Sequence, residues 1–175
     1  MKNIINIISI SIVLFFVSCN NKNQDKIIGT WKGVKSENNT IDSFFIKSQI
    51  LIDTIGKNND DATNLKLYGI KNMDSLRKHL QLQHDSALLA EKNKIKNTQF
   101  IFKKDRTIEL FFSGYNLTGK WNFDDEGSLI LEVVKTSGDA DLWRMKVITL
   151  NENELKLQFR KTNDTSIVTF NHASE

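Results

Sequence analysis

From Asn97 to Phe170 apolar side chains recur at every second position, segment after segment. A chain patterned in this way has one face of each segment to bury and must fold as half-buried strands. The faces read Phe100 and Phe102; Ile108, Leu110 and Phe112; Leu117, Gly119, Trp121 and Phe123; Leu129, Leu131 and Val133; Trp143, Met145 and Val147; Leu155, Leu157 and Phe159; and a last run over Ser166–Phe170. Between them stand Lys104-Asp105-Arg106, Asp124 to Gly127, Thr136 to Asp139 and Asn151 to Glu154. The chain contains no proline, so Gly, Asn, Asp and Ser must make its turns. Strands spaced by roughly 10–13 residues and joined by hairpins predict an antiparallel sandwich or barrel. Closure removes exposed edges, which favours the barrel.

The front of the domain adds a strand over 27–35, with Gly29 and Gly33 on either side of Trp31. The runs 43–52 and 64–70 read as two more strands around a polar loop at 56–63. Only residues 71–93 switch period: Met73, Leu76, Leu80, Ala87 and Leu88 share one helical stripe. Asn72 is placed to cap that helix, Asp74 suits its first turn, and Lys92 and Lys94 suit its end.

The stretches "IIGTWKG", "GKWNFDDEGSLILE" and "NENELKLQFRK" resemble the lipocalin-like domains of bacterial lipoproteins. The resemblance covers residues 27–35 and 97–171, and Gly29-Thr30-Trp31 matches the Gly-x-Trp signature of the lipocalin first strand. It implies an all-β fold, an antiparallel lipocalin-like barrel of about eight strands with one helix inserted near 71–93. It also implies that Trp31, entered through Gly29, closes one barrel end against an arginine, with Arg160 the matching residue and Arg144 the second. The chain departs from the pattern over 41–95, where the family has a short connection.

Ahead of the domain, Lys2 precedes an apolar run from Ile4 to Val17 that is too short to cross a bilayer as a helix. It reads as a signal peptide over 1–18. Its end, Phe16-Val17-Ser18-Cys19, resembles the lipobox of bacterial lipoproteins, in which the cysteine is acylated and becomes the new amino terminus. Cys19 is the single cysteine of 175 residues, so lipidation there leaves no thiol to oxidise outside the cytoplasm. Residues 19–26 are then the lipidated cysteine and its tether, spanning at most roughly 25 Å if extended, and 27–175 form a single domain. The expected location is the cell envelope, the outer membrane in preference to the inner, with acyl chains on Cys19 as the membrane contact.

The 24 basic and 21 acidic residues alternate along the chain, with no basic stripe to bind nucleic acid. His79 and His84 are five residues apart and point to different sides of a helix, whereas a metal pair would need i and i+4. Asp60-Asp61 and Asp124-Asp125 sit in turns, where aspartate bonds its own backbone. Ser113-Gly114 lacks the flanking glycines of a nucleophile elbow. No catalytic residue, metal or cofactor is therefore expected.

Two readings of function stand. In one, the barrel is a non-catalytic binding module for a small apolar or amphipathic ligand, with Phe100, Phe102, Phe112, Tyr115, Trp143 and Phe159 as candidate contacts. In the other, a filled barrel docks another envelope component through the helix or an outer sheet face. Leu76, Leu80 and His84 would look into the interior if the helix is a lid. Leu82 and Leu89, on the opposite side, would offer a docking spot if exposed. Of the consecutive aromatics Phe44-Phe45 and Phe111-Phe112, Phe44 and Phe111 are expected to lie beneath the helix.

Overall fold

A computed structural model describes residues 18–112, 114–134, 138–161 and 164–173. The chain runs through α1 (Ser18–Ile27), β1 (Gly29–Asn38), α2 (Asn39–Thr54), α3 (Asp61–Tyr68) and α4 (Met73–Lys96). Seven more strands follow: β2 (Gln99–Phe102), β3 (Thr107–Phe112), β4 (Tyr115–Phe123), β5 (Leu129–Val134), β6 (Ala140–Leu150), β7 (Glu154–Lys161) and β8 (Asp164–His172). The eight strands close an antiparallel barrel in sequence order, with β1 pairing both β2 and β8.

The period-two faces all turn inward. Register places Phe100 beside Leu110, Leu110 beside Leu117, Trp121 beside Leu131, Leu131 beside Trp143, and Met145 beside Phe159. Their burial is the main apolar term holding the sheet closed. Small Gly119 is required where β4 meets β5, because a Cβ there would collide with the Glu132 carbonyl.

The expected signal segment lies outside the described residues up to Val17. The tether is helical over 18–27, so its seven residues rise only about 10 Å, well inside the roughly 25 Å limit of an extended chain. The front segments also differ from expectation: 43–52 lies within α2, and 64–70 belongs mostly to α3. Local capping explains both. Asn38 Oδ1 accepts from Ile41 N at 2.9 Å and Asp60 Oδ1 from Thr63 N at 2.7 Å, each opening a helix, and Gly69 closes α3 at φ 72°. Within α2, Phe45, Ser48, Gln49 and Ile52 recur at helical spacing and form its less exposed side. The apolar neighbours Phe44, Ile46, Ile50 and Leu51 obscure that period and stay exposed.

α4 starts as expected, with Asn72 Oδ1 accepting from Asp74 N and Ser75 N, and it runs on to Lys96. It packs against α2 and then alongside β1. β2 is only four residues long and covers β1 from Gly29 to Lys32. Above that point the end of α4 takes its place. The Gly33 N–H donates to Thr98 O at 2.8 Å, and a Cβ on Gly33 would collide with the Ile95 carbonyl.

Candidate functional site

The barrel has two unlike ends. At the end where β1 begins, α1 packs against β4 and β6, and Ile27 is fully buried in the core. The Trp31 indole, also fully buried, donates from Nε1 to Ile27 O at 2.7 Å. His172 meets its ring edge-on at a centroid distance of 4.9 Å. Gly29, at φ 133°, adopts a backbone that side chains avoid, and a Cβ there would collide with the His172 ring. The signature Gly29-x-Trp31 thus makes room for an imidazole.

The expected arginine partner is a correction. Arg160 pairs with Thr165 and Trp31 with His172, seven residues apart along β8, roughly 23 Å at strand rise. Arg160 is exposed at the far end of the barrel. Arg144 is ion-paired to Asp124 at 2.6 Å and Glu126 at 2.9 Å. The guanidinium that does stack on an indole is that of Arg106, 5.7 Å from the Trp121 centroid, where it also donates to Gln24 Oε1.

Toward the opposite end, burial of the inward faces falls off. Leu110, Leu131, Met145 and Leu157 are sealed, whereas Leu117, Trp143 and Phe159 are half-buried, and Phe112 and Tyr115 are 41% and 67% exposed. Phe112 on β3 and Trp143 on β6 meet edge to face at 6.4 Å although two strands separate them, so their contact spans the lumen. Of the six aromatics proposed to contact a ligand, this mouth gathers Phe112, Tyr115, Trp143 and Phe159. Phe100 and Phe102 are a correction: they are about 1% exposed and stack on Phe170 at 4.8 Å and Trp121 at 5.7 Å as filled core. Leu117, whose inward position was plain in the sequence, joins the mouth; its depth was not readable there, because period two gives a face and not a level.

The helices leave the barrel at this same end. Buried Asn38 donates from Nδ2 to Asp164 Oδ2 at 2.9 Å and to Ser166 Oγ at 2.6 Å while its Oδ1 caps α2. Thr40 adds a bond to Asp164 Oδ1 at 3.2 Å, and these amide and hydroxyl donors hold the Asp164 carboxyl below its ordinary 3.8. Farther out, α2 and α4 are joined by reciprocal Gln49–Gln81 amide bonds and by the Arg77 guanidinium donating to Ile55 O at 2.8 Å. His84 lies edge-on to Phe45 at 5.5 Å and donates from Nε2 to the Phe45 carbonyl at 3.2 Å.

His84, Leu80 and Leu76 therefore share the side of α4 that faces α2. Of the alternatives for this helix, the lid turned into the barrel is not realised: α4 finds its apolar partner in α2, a helix where a strand is expected over 43–52. Leu82 and Leu89 are 60% and 59% exposed on the other side, and Phe44, expected under the helix, stands 62% exposed on α2.

The paired carboxylates act locally, Asp60 as the cap of α3 and Asp124 as acceptor from Glu126 N and Ser128 N in its turn. Among the described residues no three His, Cys, Asp or Glu side chains gather as a metal site, and no helix is long and apolar enough to cross a membrane.

Comparison with protein-family models finds no match, and comparison with curated proteins finds none. Among solved structures, the chain is similar to a DUF4847 family protein from Bacteroides vulgatus, at 14% identity and a TM-score of 0.41, covering 84% of this chain and 94% of that one.

Proposed function

We propose that this protein is a lipid-anchored envelope module, held by acyl chains on Cys19, whose lipocalin-like barrel takes a small apolar or amphipathic ligand at its mouth without catalysis. The carrying observation is the gradient of burial along the inward faces. The same faces that are sealed in the middle of the barrel leave Leu117, Trp143 and Phe159 accessible beside exposed Phe112 at one end. Isolated exposed apolar groups are ordinary, but inward-facing aromatics left accessible at a barrel mouth are what a small-molecule site is made of. The ligand would sit shallowly, because Phe112 and Trp143 already touch across the lumen. The position of Cys19 fits this arrangement: it belongs to α1, at the closed end, so acylation there would present the mouth away from the lipid.

Native mass spectrometry of the protein purified from its own host tests this reading. A bound small molecule, lost on Trp143→Ala, is the expected result; a ligand-free spectrum of the wild type would reject it. Metabolic labelling with a fatty-acid probe tests the anchor, and should tag the wild type and not Cys19→Ser.

A second reading, docking of another envelope component, is favoured by a different observation. The helices carry Phe44, Ile46, Ile50 and Leu51 on α2 and Leu82 and Leu89 on α4, all well exposed. Co-purification of a partner that Leu82→Ser/Leu89→Ser loses would support it.

A further inference from the structure

The place where α4 replaces β2 leaves a groove that the fold does not fill. Between β1, the start of α2 and the last turns of α4 lies a cleft of about 350 Å³, in the size range of small-molecule sites. Its walls are Val34, Ile41, Phe45, Leu88 and Ile95. Phe45, Leu88 and Ile95 are only half-buried, and Val34 and Ile41 are exposed. Val34 stands at a bulge. The register with β8 slips between Gly33 and Lys35, so Val34 is left unpaired there, and its side chain lines the groove.

The charges along the groove are unequal. Lys35 is paired with Glu37 at 3.1 Å and Glu91 with Lys94 at 2.8 Å, so these four neutralise one another. Lys92 and Lys96, one turn apart on α4, have no ion-pair partner among the described residues; of the two carboxylates in the lining, Glu91 is taken by Lys94 and Asp42 remains. An apolar trough about 10 Å long between Leu88 and Ile95, edged by two unpaired ammonium groups, suits a chain with a negative head.

We propose that the seam groove between β1 and α4 binds a single acyl chain carrying an anionic headgroup, with Val34, Phe45, Leu88 and Ile95 against the chain and Lys92 and Lys96 at the head. This site lies along the seam between β1 and α4, shares no lining residue with the mouth aromatics Phe112, Tyr115, Trp143 and Phe159, and does not depend on the mouth being occupied.

The test is photolabelling of the full chain in its membrane with a diazirine-bearing long-chain fatty acid, followed by peptide mapping. Label is expected within 34–45 and 88–96. Lys92→Glu/Lys96→Glu should cut it about tenfold, from two exposed charge contacts reversed, and leave labelling by the matching diazirine alcohol unchanged. Val34→Glu, at a position already open to solvent, should abolish labelling by the acid while circular dichroism stays that of the wild type. Trp143→Ala, which tests the mouth, should leave the groove label intact. Label confined to 112–117 and 141–143, no label at all, or an acid signal indifferent to the charge reversal would overturn the proposal.

Discussion

The closed end and the helical end of this barrel are built from opposite materials. At the closed end a fully buried indole is held by a backbone carbonyl, an imidazole edge and a glycine that alone leaves room for it. At the other end the helices are held to the barrel by an amide–carboxylate latch at Asn38 and Asp164, and to each other by exposed or half-exposed polar pairs. Much apolar surface there stays in water. Buried apolar contacts fix one geometry and resist change, whereas polar latches at a surface hold position at little cost to release. The fold thus places its rigid part next to α1 and its adaptable part away from it.

The largest effect expected is at the closed end. Trp31→Ala should cost about 3–5 kcal/mol, read from urea unfolding, and should shift the transition of the whole barrel. Gly29→Ala should follow at about 2 kcal/mol, since it forces a strained backbone and displaces His172; rescue by His172→Ala would show that the collision, and not the dihedral alone, sets the cost. At the helical end, Asn38→Ala removes the α2 cap and both bonds into β8 and should cost roughly 1–2 kcal/mol. Its signature should be faster hydrogen exchange in α2 and α4 with the strands unchanged. If Asn38→Ala instead lowered protection throughout the barrel as Trp31→Ala does, the two ends would be one cooperative unit and the contrast would fail.

Acid should act in the same place. The folded Asp164 carboxyl titrates below its ordinary 3.8 because Asn38, Thr40 and the Thr165 N–H donate to it. A depressed carboxylate stabilises above its unfolded value and loses that contribution as pH falls through the folded one. Exchange in α2 should therefore rise selectively below pH 3.8, and Asp164→Asn should remove that dependence. Smallest of all, Leu82→Ser and Leu89→Ser should each change stability by no more than about 0.5 kcal/mol, because both side chains are already in solvent. A larger loss would mean that they are covered in the native protein, which would sharpen the case for a partner.

How much of this was legible in the chain depends on how many faces each segment buries. Strands β2 to β7 bury one face and could be read position by position, Ile108-x-Leu110 and Leu129-x-Leu131-x-Val133 being sealed and their neighbours not. α4 was legible for the same reason, through its single stripe and the Asn72 cap. α2 was not: with Phe44, Phe45 and Ile46 adjacent, and Ile50, Leu51 and Ile52 likewise, its apolar residues lie on several sides and match a strand as well as a helix. Of the candidate site, the aromatic identities of Phe112, Tyr115, Trp143 and Phe159 were visible, but not that Phe100 and Phe102 lie one level deeper in packed core.

The sequence by itself determined a closed antiparallel sheet, because alternating burial over successive hairpins admits few other outcomes, and a glycine–tryptophan pair at the first strand. Only the tertiary structure decided what meets that tryptophan. The partner of a buried ring is set by which strand ends arrive at the same level, and closure brings His172 there while Arg160 goes to the opposite end. It also decided that α4 stands where β2 stops, since the place of a helix beside a sheet edge follows from the length of a strand four residues long and a backbone approach that only Gly33 allows. Local pattern fixes which face of a segment is buried; the level and the neighbour come from how the whole sheet closes.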